Sequence, residues 1–151
     1  MKASQKCVDL IKEFEGFYDK AYICPAGVPT IGYGSTMWND GRKVKLGEKI
    51  TREGAEVLLH WELNNKAIAL IGLNVNQNQA DALLSFIYNL GIGAFNKSTL
   101  RKKVKLNPND PTIADEFMKW NKARVGGKLM ELRGLTRRRQ AEVKLYYENN
   151  N

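Results

Sequence analysis

The chain has few of the features that mark secreted, membrane-spanning or metal-binding proteins. Its 151 residues include two cysteines, one histidine and four prolines. No stretch approaches the roughly 18 consecutive apolar residues that cross a membrane. Asp9 lies where a signal peptide would have its apolar core. We therefore expect a cytoplasmic fold with no stable membrane association and no cofactor.

The two thiols and the histidine form no recognisable metal site. Cys7 falls on a predicted helix, Cys24 in a predicted loop, and His60 at an unrelated spacing from both. A cytoplasmic setting disfavours a disulfide. We therefore expect two free thiols and no bound metal.

The positive charge is confined to one part of the chain. Residues 1–96 hold ten Lys/Arg and ten Asp/Glu, whereas residues 97–151 hold fourteen and six, which accounts for the net charge of +8. Such a surface attracts polyanions, either nucleic acid or an anionic cell envelope. The run at residues 137–139 has no accompanying nucleic-acid motif. A solvated basic face is the expectation, with no nucleic-acid partner.

Periodicity predicts a helix, a small sheet, a long helix and then a helical bundle in a single domain that spans residues 1–151. The first helix covers residues 4–15, and residues 17–50 show the turns and short alternating runs of a small sheet, with a turn at 39–41. A long helix starts after Thr51 and reaches about residue 71, with Leu58, Trp61 and Ile68 on one face. Further helices are predicted at 78–90, 98–106, 112–122 and 136–148, before a frayed tail at 149–151. We expect a monomer.

Glu15 is the first candidate for catalysis. It falls in the last predicted turn of the first helix, where the negative end of the helix dipole favours a protonated carboxyl group. Phe14 and Phe17 favour the same form by excluding water. A carboxylic acid can protonate a glycosidic oxygen. The bland alternative is a solvated glutamate at a helix end.

Thr30 opens a glycine-rich strand fifteen residues after that glutamate. The strand period predicts that Thr30, Gly32 and Gly34 share one nearly bare face, which a flat glycan could approach. A tight bend at a sheet edge is the alternative. Cys24 lies between the two candidates as a weak base, a nucleophile or a spacer.

Four ordered motifs resemble the phage lysozymes of glycoside hydrolase family 24. The first, EGFYDKAYICPAGVPTIGYG at residues 15–34, holds both candidates. The others are QADALLSFIYNLG at 79–91, FNKSTL at 95–100 and GLTRRRQAE at 134–142. The resemblance spans nearly the whole chain. It implies a lysozyme-like α+β fold, with a β lobe at about 16–50, a larger helical lobe at about 1–15 and 51–148, and a long helix joining them.

The resemblance also implies an activity, that of an inverting endolysin muramidase that cleaves peptidoglycan glycan strands and lyses the host. Glu15 falls on the family's general acid, Thr30 on the threonine that helps hold the attacking water, and Cys24 on the third catalytic position. With no export signal, the enzyme would start in the host cytoplasm and need a holin-type pore to reach the periplasm and cell wall. The residues expected to bind substrate are Gly32, Tyr33, Trp38 and Asn89.

Two departures from the family pattern affect the predicted site. Cys24 stands where relatives often have aspartate, and Ser35 where they commonly have histidine, so a structural ion pair is expected to be missing. Asp19 and Asp40 are the nearest substitutes for the absent carboxylate. The main rival hypothesis is a lysozyme-fold module that binds peptidoglycan but has lost turnover.

The tryptophans divide into two groups. Trp61 and Trp120 lie on apolar helical stripes and are expected in the core. Trp38 falls in the loop region. Because an exposed indole ring can stack on a sugar, Trp38 is the better candidate for glycan contact.

Overall fold

The computed structural model describes residues 1–149. Residues 150 and 151, which belong to the tail predicted to fray, lie outside this range. The described chain folds into helices and two small antiparallel sheets, of which the sequence predicted only the first. The elements in chain order are α1 (Gln5–Glu15), β1 (Tyr18–Ile23), β2 (Pro29–Gly32), α2 (Arg52–Lys66), a 3₁₀ helix (Ala67–Leu70), α3 (Gln77–Leu90), α4 (Ile92–Lys97), α5 (Thr99–Leu106), α6 (Ile113–Met118), β3 (Lys122–Val125), β4 (Lys128–Glu131) and α7 (Arg133–Tyr146).

Helix α1 is fixed at both ends. At its start, the backbone N–H of Ser4 donates a hydrogen bond of 2.9 Å to the carboxylate of Asp81, a buried residue of α3. At its end, Gly16 has a φ of 74°, which favours glycine and stops the helix. Glu15 is therefore the last residue of a helix that is anchored in the core.

The β lobe is built on the β1–β2 hairpin. Tyr22 lies opposite Thr30, and the register shifts between Tyr18 and Tyr22. The turn predicted at residues 39–41 is present, since the N–H of Trp38 donates a hydrogen bond of 2.8 Å to the carbonyl oxygen of Arg42. The predicted small sheet is therefore confirmed.

The predicted glycine-lined strand face is wrong. Strand β2 ends at Gly32, and the chain turns so that Ser35 pairs with Ile31. Gly32 and Gly34 have φ values of 64° and 93°, which are not strand conformations. These glycines instead form the tight bend that was the alternative interpretation.

Helix α3 is the centre of the helical lobe. Residues 78–87 are all buried, and α3 packs against α1, α2, α4 and α7. Its start carries a capping box in which Asn76 and Gln79 bond reciprocally. Because α3 is enclosed on every side, its polar residues must find partners inside the protein. Several of those partners come from the candidate site.

Helix α2 packs against both β2 and α3 and so joins the two lobes, as predicted. The hydroxyl of Thr51 caps it by accepting a hydrogen bond of 3.0 Å from the N–H of Gly54. The α-helix stops at Lys66, and a 3₁₀ turn completes the predicted length. Ile68 was placed on the apolar face but is 64% exposed, because it lies in the tighter 3₁₀ turn.

The helix predicted at residues 112–122 is wrong in its second half. Helix α6 ends at Met118, and the chain then forms the β3–β4 hairpin. Gly126 and Gly127, with φ values of 58° and 82°, make its turn. Two adjacent glycines are a signal for a hairpin turn. The helical periodicity of the preceding residues led to the wrong prediction of a helix up to residue 122. Helix α4 is a further element that the sequence did not predict.

The remaining expectations concern thiols and membranes. Both Cys7 and Cys24 are free, as predicted. Within residues 1–149, no helix combines the length and the apolar character needed to cross a membrane. Over the same range, His, Cys, Asp and Glu do not gather in a group of three or more that could hold a metal.

Candidate active site

A cleft of about 540 Å³ opens between the loop after β2, one face of α2 and the end of α3. Glu15 reaches it from the end of α1. Charged, amide and aromatic side chains line it together, which is typical of a site for a polar polymer. The lining residues are Glu15, Gly34, Thr36, Met37, Trp61, Glu62, Asn65, Lys66, Tyr88 and Asn89.

Glu15 is held by a buried arginine. Arg138 of α7 is 3% exposed, and its Nη1 lies 2.5 Å from Oε2 of Glu15. Oε1, the other carboxylate oxygen, lies on the side of Gly34, where an added methyl group would stand 3.0 Å from it. One oxygen is therefore fixed by the guanidinium, and the other lies beside the cleft.

The predicted surroundings of Glu15 were incomplete. The sequence indicated two aromatic neighbours and a helix end, whereas the closest charged group comes from 123 residues further along the chain. The guanidinium of Arg138 also lies over Phe14, 5.9 Å from the ring centroid. This single charge-assisted hydrogen bond from Nη1 of Arg138 fixes one oxygen of the carboxyl group.

Cys24 and Thr30 lie together at the end of the β1–β2 hairpin. The hydroxyl of Thr30 donates a hydrogen bond of 2.9 Å to the carbonyl oxygen of Val28. Hydrogen bonding by Thr30, then by the backbone of Val28 and Ala26, lowers the pKa of the Cys24 thiol. Since a hydroxyl has one proton, Thr30 can serve either the carbonyl oxygen or the sulfur at a given moment.

Tyr22 lies on strand β1, two residues before Cys24 in the chain. Burial raises the pKa of the Tyr22 phenol, and Tyr18, Cys24 and Glu15 add to this through their negative charge. Of the three residues predicted to be catalytic, Glu15 lines the cleft, and Cys24 and Thr30 lie at the end of the β1–β2 hairpin.

Gly32 and Tyr33 lie behind the cleft, not on its surface. A methyl group on Gly32 would stand 3.1 Å from Cβ of Ala55, so glycine allows α2 to pack on β2. Tyr33 is 3% exposed, and its carbonyl oxygen accepts a hydrogen bond of 2.6 Å from the hydroxyl of Tyr88. This burial does not agree with the expectation that both residues contact glycan. Both residues instead support the packing behind the cleft.

Asn89 lines the cleft at the end of α3, where the sequence placed a substrate-binding residue. Its Oδ1 accepts a hydrogen bond of 2.8 Å from Nη2 of Arg139. Arg139 is fully buried and forms an ion pair of 2.7 Å with Glu142. The amide of Asn89 is thus attached to the buried core of the helical lobe.

The family model for phage lysozyme matches residues 12–142. The chain belongs to the phage lysozyme family. It is similar to the endolysin of Acyrthosiphon pisum secondary endosymbiont phage 1, with 42% identity over 149 residues that cover 97% of this chain and 98% of the relative. The resemblance seen in the sequence motifs is confirmed.

Solved structures agree with this family membership. The endolysin from Escherichia coli O157:H7 phage FAHEc1 has a TM-score of 0.88 at 40% identity, over 98% of this chain and 94% of that one. The muramidase domain of SpmX from Asticaccaulis excentricus has a TM-score of 0.87 at 34% identity, over 98% and 99% of the two chains. The lysozyme-like α+β fold is therefore confirmed.

Two of the three tryptophans are arranged differently from the prediction. Trp61 lines the cleft although it was expected in the core. Trp38, the expected glycan contact, is half-buried and donates a hydrogen bond of 3.0 Å from Nε1 to Glu48. Trp120 packs edge-on against Phe86 with 5.5 Å between ring centroids, as a core residue does. A helical stripe shows which side of α2 is apolar, but not that part of it borders a cleft.

The arginine run at residues 137–139 differs most from its predicted surroundings. A solvated basic face was expected, but Arg138 and Arg139 are buried and only Arg137 is exposed. Glu142, at i+4 from Arg138 and i+3 from Arg139, neutralises charge inside the lobe. That spacing within the phage lysozyme motif GLTRRRQAE was the available signal.

A second carboxyl group, that of Glu62, lines the cleft and was not predicted. Burial raises the pKa of Glu62, while the hydroxyl of Ser35 and the charge of Lys66 act in the opposite direction. Asp19 and Asp40, the substitutes considered from the sequence, are both exposed, and Asp40 is paired with Arg42 at 2.7 Å. Neither aspartate borders the cleft.

Proposed function

We propose that the chain is a muramidase that hydrolyses the β-1,4 bond between N-acetylmuramic acid and N-acetylglucosamine in peptidoglycan. One observation carries this proposal: Glu15 lies in a polar cleft with one oxygen fixed by Arg138 and the other beside the open space. A glycan strand seated there would bring its glycosidic oxygen to a positioned proton donor. Membership of the phage lysozyme family supports peptidoglycan as the substrate.

In the proposed reaction, protonated Glu15 gives its proton to the leaving glycosidic oxygen as the bond to the sugar carbon breaks. Positive charge then develops on the sugar ring. The carboxylate that remains is already paired with the guanidinium of Arg138. Arg138 therefore acts as a positioning residue that also stabilises Glu15 after proton transfer.

Thr30 and Cys24 are proposed to place the attacking water. In an inverting reaction, water adds to the face of the sugar opposite the leaving group. The Thr30 hydroxyl can orient that water, and Cys24 either takes its proton as a thiolate or serves as a spacer. The lowered pKa of Cys24 increases its thiolate fraction at neutral pH relative to an ordinary cysteine. The lowered pKa supports Cys24 as the base that accepts the proton of the water more strongly than the sequence alone did.

A second candidate function is peptidoglycan binding without turnover. It is favoured by the thiol at position 24 and by the exposure of Asp19 and Asp40, which leaves the Cys24–Thr30 region with no obvious carboxylate base. Both functions predict affinity for the cell wall. Only turnover distinguishes them.

The loss of turbidity of a purified peptidoglycan suspension tests the proposal. Wild type should clear the suspension, Glu15→Gln should bind without clearing, and Cys24→Asp should clear at least as fast as wild type. A wild type that binds peptidoglycan but does not clear it would leave the binding module as the function. Clearing by Glu15→Gln at the wild-type rate would remove Glu15 from the mechanism.

The biological role proposed here is lysis of a bacterial host at the end of a phage cycle. Similarity to phage endolysins supports release to the cell wall at that stage. Access through a holin-type pore remains part of the proposal. Co-expression with and without a holin, followed by culture density, would test it.

A further inference from the structure

The amide of Asn89 has a defined orientation in the cleft. Its Oδ1 accepts a hydrogen bond of 2.8 Å from Nη2 of Arg139. A guanidinium group can only donate hydrogen bonds. If the amide were turned over, its NH₂ group would face another donor, and both groups would lose a hydrogen bond. The oxygen of Asn89 is therefore directed to the core, and its NH₂ group is left for the cleft.

Arg139 cannot easily turn away from Asn89. It is fully buried, forms an ion pair of 2.7 Å with Glu142, and lies over the ring of Phe86 at 5.1 Å from the centroid. Glu142 is also fully buried and accepts a hydrogen bond of 2.6 Å from the hydroxyl of Ser85. Arg139 and Glu142 are joined as an ion pair, and Glu142 also accepts from Ser85, so this buried network holds the amide of Asn89 from behind.

We infer that Asn89 is a donor-only reader of the glycan strand, which presents its amide N–H groups to an acceptor oxygen of the substrate, with Arg139 and Glu142 as positioning residues. The inference rests on the proposed function. It deepens that function by naming the chemical group that is recognised at one end of the cleft. A carbonyl oxygen can only accept hydrogen bonds, so a donor-only contact satisfies it fully, whereas a sugar hydroxyl group would still need an acceptor for its own proton.

Peptidoglycan offers carbonyl oxygens from two sources. One is the N-acetyl group on each sugar, and the other is the stem peptide attached to muramic acid. Both present the same chemistry to an N–H donor. Substrates that lack one source or the other can therefore separate them.

The test removes the amide N–H donor of Asn89 with small changes to the side chain. Asn89→Asp retains an oxygen for Arg139 but presents a second oxygen to the cleft, and Asn89→Ala removes the donor without adding charge. Both should raise the KM for soluble peptidoglycan fragments roughly 5- to 150-fold, the range for leaving a polar group without its partner. The kcat should change much less, because the proposed contact is made to the bound strand and not to the reacting bond.

Asn64→Asp is the matched control for charge. Asn64 is an exposed residue of α2 outside the cleft lining. Its variant adds the same charge outside the cleft lining and should leave the KM within about twofold of wild type, as exposed positions usually do. A similar rise in KM for Asn64→Asp would assign the effect of Asn89→Asp to charge. An unchanged KM in Asn89→Ala would overturn the inference.

Two further substrates identify the carbonyl group. On glycan strands freed of stem peptides by an amidase, the penalty of Asn89→Ala should persist if the N-acetyl group is read, and it should vanish if the peptide is read. On N-deacetylated strands the penalty of Asn89→Ala should vanish if the N-acetyl group is read, and it should persist if the peptide is read. A penalty that survives both treatments would contradict carbonyl recognition. An inactive wild type would instead refute the proposed muramidase function, so the two failures are distinguishable.

Discussion

Gly34→Ala is expected to slow turnover by displacing Glu15. The added methyl group would lie 3.0 Å from Oε1 of Glu15 and 3.4 Å from the hydroxyl of Tyr88. Contacts from 3.4 Å upward are ordinary at such a carbon, so the carboxyl group must move by a few tenths of an ångström. Because a misplacement of about 1 Å at a catalytic group can cost on the order of 100-fold in rate, we expect this smaller displacement to lower kcat by roughly 5- to 10-fold.

Backbone strain must be separated from this displacement. Gly34 and Gly47 both have a φ of 93°, and a methyl group on Gly47 meets nothing within 4 Å. Gly47→Ala therefore carries the strain of a left-handed backbone, about 1–2 kcal/mol, without the contact. Gly34→Ala should lose at least as much stability in urea as Gly47→Ala, and only Gly34→Ala should lose activity.

The comparison is made with initial rates on peptidoglycan at a temperature where both variants remain folded. Equal kcat values for Gly34→Ala and Gly47→Ala would refute the reasoning. They would mean that the position of the Glu15 carboxyl is not sensitive to the space beside Gly34.

Three other perturbations test different parts of the site. Arg138→Met should lower the free energy of unfolding in urea by about 3–5 kcal/mol, because Glu15 and the buried Glu142 lose a charged partner. Glu62→Gln should alter the pH dependence of stability. Burial raises the pKa of Glu62 above its ordinary value of 4.5, so the native state binds more protons than the unfolded state, and wild-type stability falls as pH rises through that raised pKa. The glutamine variant should lack this fall. Cys24 should react with iodoacetamide at a lower pH than an ordinary cysteine, because its pKa is lowered by hydrogen bonding from Thr30 and the neighbouring backbone.

Each of these predictions has an internal control. Arg137→Met alters the exposed neighbour and should change stability by no more than about 0.5 kcal/mol; a loss equal to that of Arg138→Met would contradict the buried ion pair. Glu53→Gln, at an exposed position, should leave the pH profile unchanged. Cys7 is buried, with its pKa raised by burial, and should not react in the folded protein. Full activity after alkylation of Cys24 would reduce that residue to a spacer.

The sequence was most informative where the signal is local. Gly16 ends the helix that carries Glu15, Thr51 caps α2, and the turn at residues 39–41 follows from its own composition. These features depend on a few adjacent residues and on backbone preferences. The sheet lobe and most helices of the bundle could therefore be predicted without tertiary information.

The sequence was least informative where function depends on distant contacts. Arg138 looked like one of three solvated arginines, because its burial depends on packing against Glu15, 123 residues away. Trp61 and Glu62 are consecutive on α2, and only the position of α2 beside the loop after β2 places both in the cleft. Gly32 and Gly34 appeared to form an open strand face, but one packs on α2 and the other on Glu15. In each case the helical or strand period predicted which residues share a face of the element, but not which other part of the protein packs against that face.

The central claim, that Glu15 drives hydrolysis between N-acetylmuramic acid and N-acetylglucosamine, is tested most directly by the new end of the product. Purified peptidoglycan is digested, the products are reduced with borohydride, and the terminal sugar is identified. Wild type should release fragments that end in reduced N-acetylmuramic acid, and Glu15→Gln should release none above background. Fragments that end in anhydromuramic acid would indicate a transglycosylase. Fragments that end in reduced N-acetylglucosamine, or a product yield unchanged by Glu15→Gln, would contradict the claim.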